Sequence, residues 1–83
     1  MLRSEFESAF REACKKVGIS PKRALRSFYD RLKIIRARGI QTPSIAQVIM
    51  ESGIPRDDSR KLFRHLDNAI GVDVRVQYVA REM

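Results

Sequence analysis

Apolar residues recur along most of this chain at the three- and four-residue spacing of amphipathic helices, and only near the end does the period fall to two. Phe6, Ala9, Phe10, Ala13, Cys14 and Val17 make the first stripe. Ser4 and Glu7 stand at capping-box spacing at its start, and Gly18 ends it, with Ile19 placed to close over the helix end. Ser20-Pro21 supplies an N-cap and a proline at the first helical position, opening a second helix that runs to about Arg38 and stops at Gly39. Its buried stripe is Leu25, Phe28, Leu32 and Ile35, with Ala24, Tyr29 and Ile34 at the margins. Ile40-Gln41 reads as a short extended link. Thr42-Pro43 repeats the cap-and-proline signal for a short third helix carrying Ile45, Ala46, Val48 and Ile49, with Met50 at its edge, and Gly53 ends it. Beyond Ile54-Pro55 a fourth helix is predicted from Arg56 or Asp57 to Ile70, burying Leu62, Phe63, Leu66 and Ile70 and stopping at Gly71. Val72, Val74, Val76 and Tyr78 then alternate with Asp73, Arg75, Gln77 and Val79, the period of a strand with two unlike faces.

The third and fourth helices have the spacing of a helix-turn-helix. Such a unit needs two helices held at a steep angle by a tight turn, and the turn favours a residue that tolerates a left-handed backbone. Gly53 occupies that place, with Val48 five positions before it, Ile54 one after and Leu62 nine after, where side chains lock the two helices together. Arg56, Asp57, Arg60, Lys61 and Arg64 are left pointing outward on the second helix of the pair. Basic, hydrogen-bonding side chains therefore occupy the turns that enter the major groove when such a unit docks.

The run PSIAQVIMESGIPRDDSRKLF, from Pro43 to Phe63, resembles the helix-turn-helix of GntR-type winged-helix regulators. The likeness rests on a Pro-Ser that opens the first helix, a Gly-aliphatic pair at the turn, and an Arg two residues after the aliphatic member, here Ile54 and Arg56. The chain differs from that family at Ile49, Ser52 and Ser59, where the family favours Ala, Leu and Val. The resemblance implies sequence-specific binding of an operator, usually as a dimer, with a supporting wing. The expected fold is accordingly mainly α: four helices with a helix-turn-helix and a C-terminal β-strand, a reduced winged helix in a single domain over residues 1–83. One exposed strand leaves unpaired backbone groups that native proteins cover. Three partners are open to it: Ile40-Gln41 of the same chain, its own copy in a homodimer through residues 72–79, or further chain past Met83. The single-stranded wing favours the dimer.

Charge adds a partner class. Lys and Arg number 17 against 10 Asp and Glu, a net charge of +7, which favours a polyanion. The first helix is balanced, with Glu7 four residues before Arg11 and Glu12 four before Lys16. The second sets seven cations, from Lys22 to Arg38, against Asp30 alone, and Lys22, Arg23, Arg26 and Lys33 fall away from its apolar stripe. A phosphate backbone would relieve their mutual repulsion. Arg56, Arg60, Lys61 and Arg64 are then the expected base-reading residues, Lys22, Arg23, Arg26 and Lys33 the phosphate contacts, and Thr42, Ser44 and Ser59 hydrogen-bonding partners of the DNA backbone. Asp57 and Asp58 suit the dipole at a helix start. Asp57 has the alternative role of accepting from a cytosine amino group.

Other chemistry finds little support. One Cys and one His supply neither a disulfide nor a structural zinc site, so no metal and no cofactor is expected. Asp67 lies two residues after His65, a spacing at which helical side chains do not face each other, and no glycine-rich phosphate loop or nucleophile elbow occurs; enzymatic activity is not expected. With no signal-like start and no apolar run of membrane-spanning length, the chain is expected to be cytoplasmic, with no membrane partner. The expected function is sequence-specific binding of double-stranded DNA, in transcription regulation or in plasmid or phage DNA maintenance. The rival is a protein-interaction module, a small inhibitor or assembly adaptor whose basic helical surface grips an acidic partner. RNA is disfavoured because the basic helices lack an exposed aromatic platform.

Overall fold

The computed structural model describes residues 3–71. They form α1 (Arg3–Val17), α2 (Pro21–Ala37), α3 (Ile45–Glu51) and α4 (Arg56–Ala69). The punctuation seen in the sequence places most of the boundaries. Ser20 Oγ accepts from Arg23 N at 3.3 Å with Pro21 opening α2, while Gly18 N and Ile19 N both donate to Cys14 O and close α1. Two boundaries differ from expectation. Helix α1 already includes Ser4, and Glu7 is engaged by Arg3, Arg11 and Tyr29. The N-cap of α3 is Ser44, two residues later than Thr42, and its Oγ accepts from Gln47 N at 3.2 Å.

Phe6, Phe10 and Phe28 meet at the centre, with ring centroids 5.0 to 5.6 Å apart. Around them Cys14, Leu32, Ile35, Ile45, Val48, Ile49, Leu62 and Leu66 are buried, so all four helices contribute to one core. Each large side chain so buried stabilises the fold by about 1.5–3 kcal/mol relative to exposure. Burial also pushes the Cys14 thiol up to about 11, so it remains a neutral core group. Helix α1 packs on α2 and α4, and α3 packs on α2 and α4, so the four close into a ring. Within that ring α2 and α4 do not pack on each other. The helix that braces α4 is therefore α1, while α2 braces α3.

The reduced winged helix is not what the described residues form: all four of their elements are helices and no strand is among them. The segment Ile40-Gln41, one of the three partners open to the expected strand, is folded back on α2. Ile40 N donates to Ile35 O, Arg36 Nε donates to Gln41 O at 3.1 Å, and Gln41 Nε2 returns a bond to Arg36 O. Those bonds satisfy the carbonyl groups at the end of α2 and turn Ile40-Gln41 into a helix-terminating turn. The mainly α composition stands. The strand expected over 72–79, and a dimer through it, lie outside the described residues.

Candidate nucleic-acid interface

The segment joining α3 to α4 is short and internally bonded. Ser52 Oγ donates to Ile49 O at 2.8 Å, holding the last turn of α3, and Gly53 then takes a φ of 83°, in the left-handed region that glycine enters without strain. Pro55 serves as the N-cap of α4, and Ser59 N donates to Pro55 O at 2.8 Å. Val48 and Leu62 are fully buried on either side of the turn, as the helix-turn-helix spacing requires. Ser59 is also buried, 5% exposed, and its Oγ donates to Ile54 O at 3.2 Å. It fastens the turn to α4 and cannot reach a DNA backbone, which corrects the role expected from sequence. Its place in line with Leu62 and Leu66, three and seven residues on, was the available signal. Ser44 likewise has a structural task as N-cap of α3, and Thr42 is half-buried and already engaged.

The outer face of α4 matches expectation. Arg56, Asp57, Arg60, Lys61 and Arg64 are all exposed, and the four cations form no ion pair with any described residue. At 100° per residue, Asp57 and Arg64 lie at the crest directly opposite the buried Ser59, Leu62 and Leu66, flanked by Arg60 and Lys61. The two acids at the helix start divide. Asp58 is half-buried and lines a groove with Arg23, Ser27 and Gly53, close to the free N–H groups of the first turn, whereas Asp57 stands outward. No side chain caps α4, so its first-turn N–H groups remain donors to solvent or ligand.

The cations of α2 do not join this face. Lys22 and Arg26 lean toward α1 and line a groove with Arg3, Glu7, Arg11 and Tyr29. Lys33 is exposed further along the same side, and only Arg23 reaches the groove beside the turn. Helices α2 and α4 do not pack on each other, and they approach only at the groove where Arg23, Ala24 and Ser27 lie beside Gly53, Ile54, Pro55 and Asp58.

Elsewhere three acids, Glu7, Glu12 and Glu51, are matched to cations. Glu7 takes Arg3 at 2.9 Å, Arg11 at 3.2 Å and the Tyr29 hydroxyl at 2.8 Å. Burial alone would raise its carboxyl, but the hydrogen bonds from Arg3 and Tyr29 outweigh burial and hold it below the usual carboxylate range. Burial and the bond to Glu7 push the Tyr29 phenol up to about 12. Glu12 pairs with Lys15 at 3.3 Å, where sequence spacing pointed to Lys16. Glu51 takes Arg38 at 2.7 Å and Gln47 at 3.3 Å, and these bonds lower its carboxyl. Met50, expected at the edge of α3, is 67% exposed and lines a groove with Ile54, Phe63, Arg56 and Arg60. Its place opposite Ile45 and Val48 on α3 accounts for that exposure. His65 is half-buried against α1, beside Ala9 and Glu12.

Among the described residues no group of three or more His, Cys, Asp or Glu is placed to hold a metal ion, and no helix is long and apolar enough to cross a membrane. Comparison with protein-family models, curated proteins and solved structures gave no match.

Proposed function

We propose that this protein binds double-stranded DNA sequence-specifically, with the outer face of α4 in the major groove, as a small transcriptional regulator or a plasmid or phage DNA-maintenance factor. The observation that carries the reading is the unpaired row Arg56, Arg60, Lys61 and Arg64 on a helix that follows a short α3 and a turn with Gly53 at positive φ. Arg and Lys of this kind pair with guanine N7 and O6 or with phosphate oxygens. Duplex binding measured by fluorescence anisotropy across a salt series tests it. Lys61→Ala combined with Arg64→Ala should weaken binding at least tenfold and relax sequence preference, since each good base contact is worth about 1–3 kcal/mol. Unchanged affinity and preference in that variant refute the reading.

One observation favours a second reading, a protein-interaction module for an acidic partner. The groove of Met50, Ile54 and Phe63 offers apolar surface between two arginines, Arg56 and Arg60. Absence of duplex binding at roughly 100 mM salt, where non-specific DNA binders still associate, moves the conclusion to this module.

A further inference from the structure

We propose that α2 carries a second duplex-binding face, separate from that of α4, so that one molecule holds two segments of double-stranded DNA together; this rests on the reading of α4 as a duplex-binding helix. Lys22, Arg26 and Lys33 are exposed and make no ion pair with any described residue. Their spacing of four and seven residues puts them on one line, about 6 and about 10 Å apart along the helix axis. The row spans about 16 Å, close to five base-pair rises of duplex, and so matches a stretch of phosphate backbone.

The surroundings leave the row uncompensated. Glu7, the acid in the neighbouring α1–α2 groove, already accepts from Arg3, Arg11 and Tyr29. Asp30 is the remaining acid on the outer side of α2. Tyr29, the aromatic beside the row, has its hydroxyl on Glu7, so the row offers charge without base-reading groups. That chemistry fits phosphate contact independent of sequence.

Position gives the row its separate partner. A duplex seated on the outer face of α4 meets a helix that does not pack on α2, whose Lys22 and Arg26 line the separate α1–α2 groove, and the described residues measure 20 Å along their shortest axis. Lys22, Arg26 and Lys33 then remain exposed to solvent, where a second segment can bind. Arg23 is excluded from the row because it lines the groove beside the turn.

The test uses beads carrying one duplex and a labelled duplex free in solution. Wild-type protein should retain the labelled duplex on the beads. A triple variant, Lys22→Gln, Arg26→Gln and Lys33→Gln, should bind a single duplex with affinity and salt slope unchanged, yet retain at least tenfold less labelled duplex; a thermal melt confirms its fold. The Lys61→Ala, Arg64→Ala variant should lose bridging and sequence preference, and keep only the weaker, sequence-independent single-duplex binding of α2. Retention by the triple variant equal to wild type overturns the proposal, and so does failure of wild type to bridge while it binds one duplex. A triple variant that loses single-duplex affinity as strongly as the α4 variant also overturns it, by placing both rows on one duplex. Absence of any duplex binding by wild type overturns the α4 reading together with this one.

Discussion

Glu7 is the point at which stability can be tested most sharply. It is 17% exposed in its side chain and accepts from three donors, two within α1 and one, Tyr29, twenty-two residues away on α2. Arg3 further lies 4.7 Å from the Tyr29 ring centroid, so one carboxylate organises both a cation and the ring it covers. The i,i+4 pairs with Arg3 and Arg11 contribute about 0.3–0.5 kcal/mol each. The bond from the half-buried phenol to a charged acceptor contributes about 1.5–3 kcal/mol. Glu7→Ala should therefore destabilise by about 2–4 kcal/mol, which lowers Tm by roughly 10–30 °C in a chain of this size. Tyr29→Phe should remove about 1–2 kcal/mol, and the double variant should reveal coupling of about 1 kcal/mol or more. Urea melts of the four proteins form the cycle. The pH dependence supplies a second readout. The folded Glu7 carboxyl is held below its unfolded value, so its contribution is full above the usual carboxylate range and is lost as pH falls through the depressed value. The folded Tyr29 phenol is raised to about 12, so the bond persists through pH 10 and is lost as pH rises through about 12. Coupling under about 0.3 kcal/mol, or an acid melt of wild type that coincides with that of Glu7→Gln, would refute the account.

Three further outcomes follow from the turn and the reading helix. Ser59→Ala removes the bond to Ile54 O and should cost about 1 kcal/mol in a urea melt while leaving duplex affinity unchanged once the protein is folded. At Gly53 an added Cβ meets nothing within 4 Å, so the cost of Gly53→Ala is conformational only, about 1 kcal/mol, and Gly53→Asn should cost less because Asn tolerates the left-handed region. Asp57 stands among exposed cations that face the duplex under the proposed reading, so Asp57→Ala should then strengthen binding to arbitrary duplexes several-fold; if it instead discriminates bases, the spread of affinities across sequences should narrow at the same time, read by anisotropy on a panel of duplexes.

Local signals in the sequence were sufficient wherever a boundary is made by local chemistry. Ser20-Pro21 and Gly18 mark α2 and the end of α1 because a cap hydroxyl, a missing N–H and a left-handed residue act within one turn. The start of α3 was misjudged although its signal is also local: Ser44 and Gln47 have capping-box spacing, which outranks Thr42 ahead of a proline whose side chain is fully buried. The helical reading of Ser59 as a surface hydroxyl ignored its register with Leu62 and Leu66. Two features had no local signature. The bond from Tyr29 to Glu7 joins residues on different helices, and the fold-back of Ile40-Gln41 depends on Arg36 reaching along the end of α2. Apolar alternation predicts a strand over 72–79, outside the described residues, and pattern alone carries no information on what such a segment pairs with.

The placement of acids explains why the two basic rows differ from the remaining charge. Every ion pair of the described residues involves Glu7, Glu12 or Glu51, and the cations they engage are Arg3, Arg11, Lys15 and Arg38 on α1 and α2. These pairs tie α1 to itself and α2 to α3, the two contacts that frame the core without touching the outer face of α4. The acids of α4 act differently: Asp58 is drawn into the groove beside the turn, and Asp57 shares the crest with Arg64. A charge distribution governed by solubility alone would spread i,i+4 pairs over all helices. Here three of the four ion pairs lie within α1, while Glu51 through Arg38 and Glu7 through Tyr29 fasten helices together; under the proposed reading the rows on α4 and α2 are left for a partner that brings its own negative charge. Neutralising acids at the fastening points and at the rows should therefore separate cleanly, the first moving the melting temperature and the second moving the salt dependence of duplex binding.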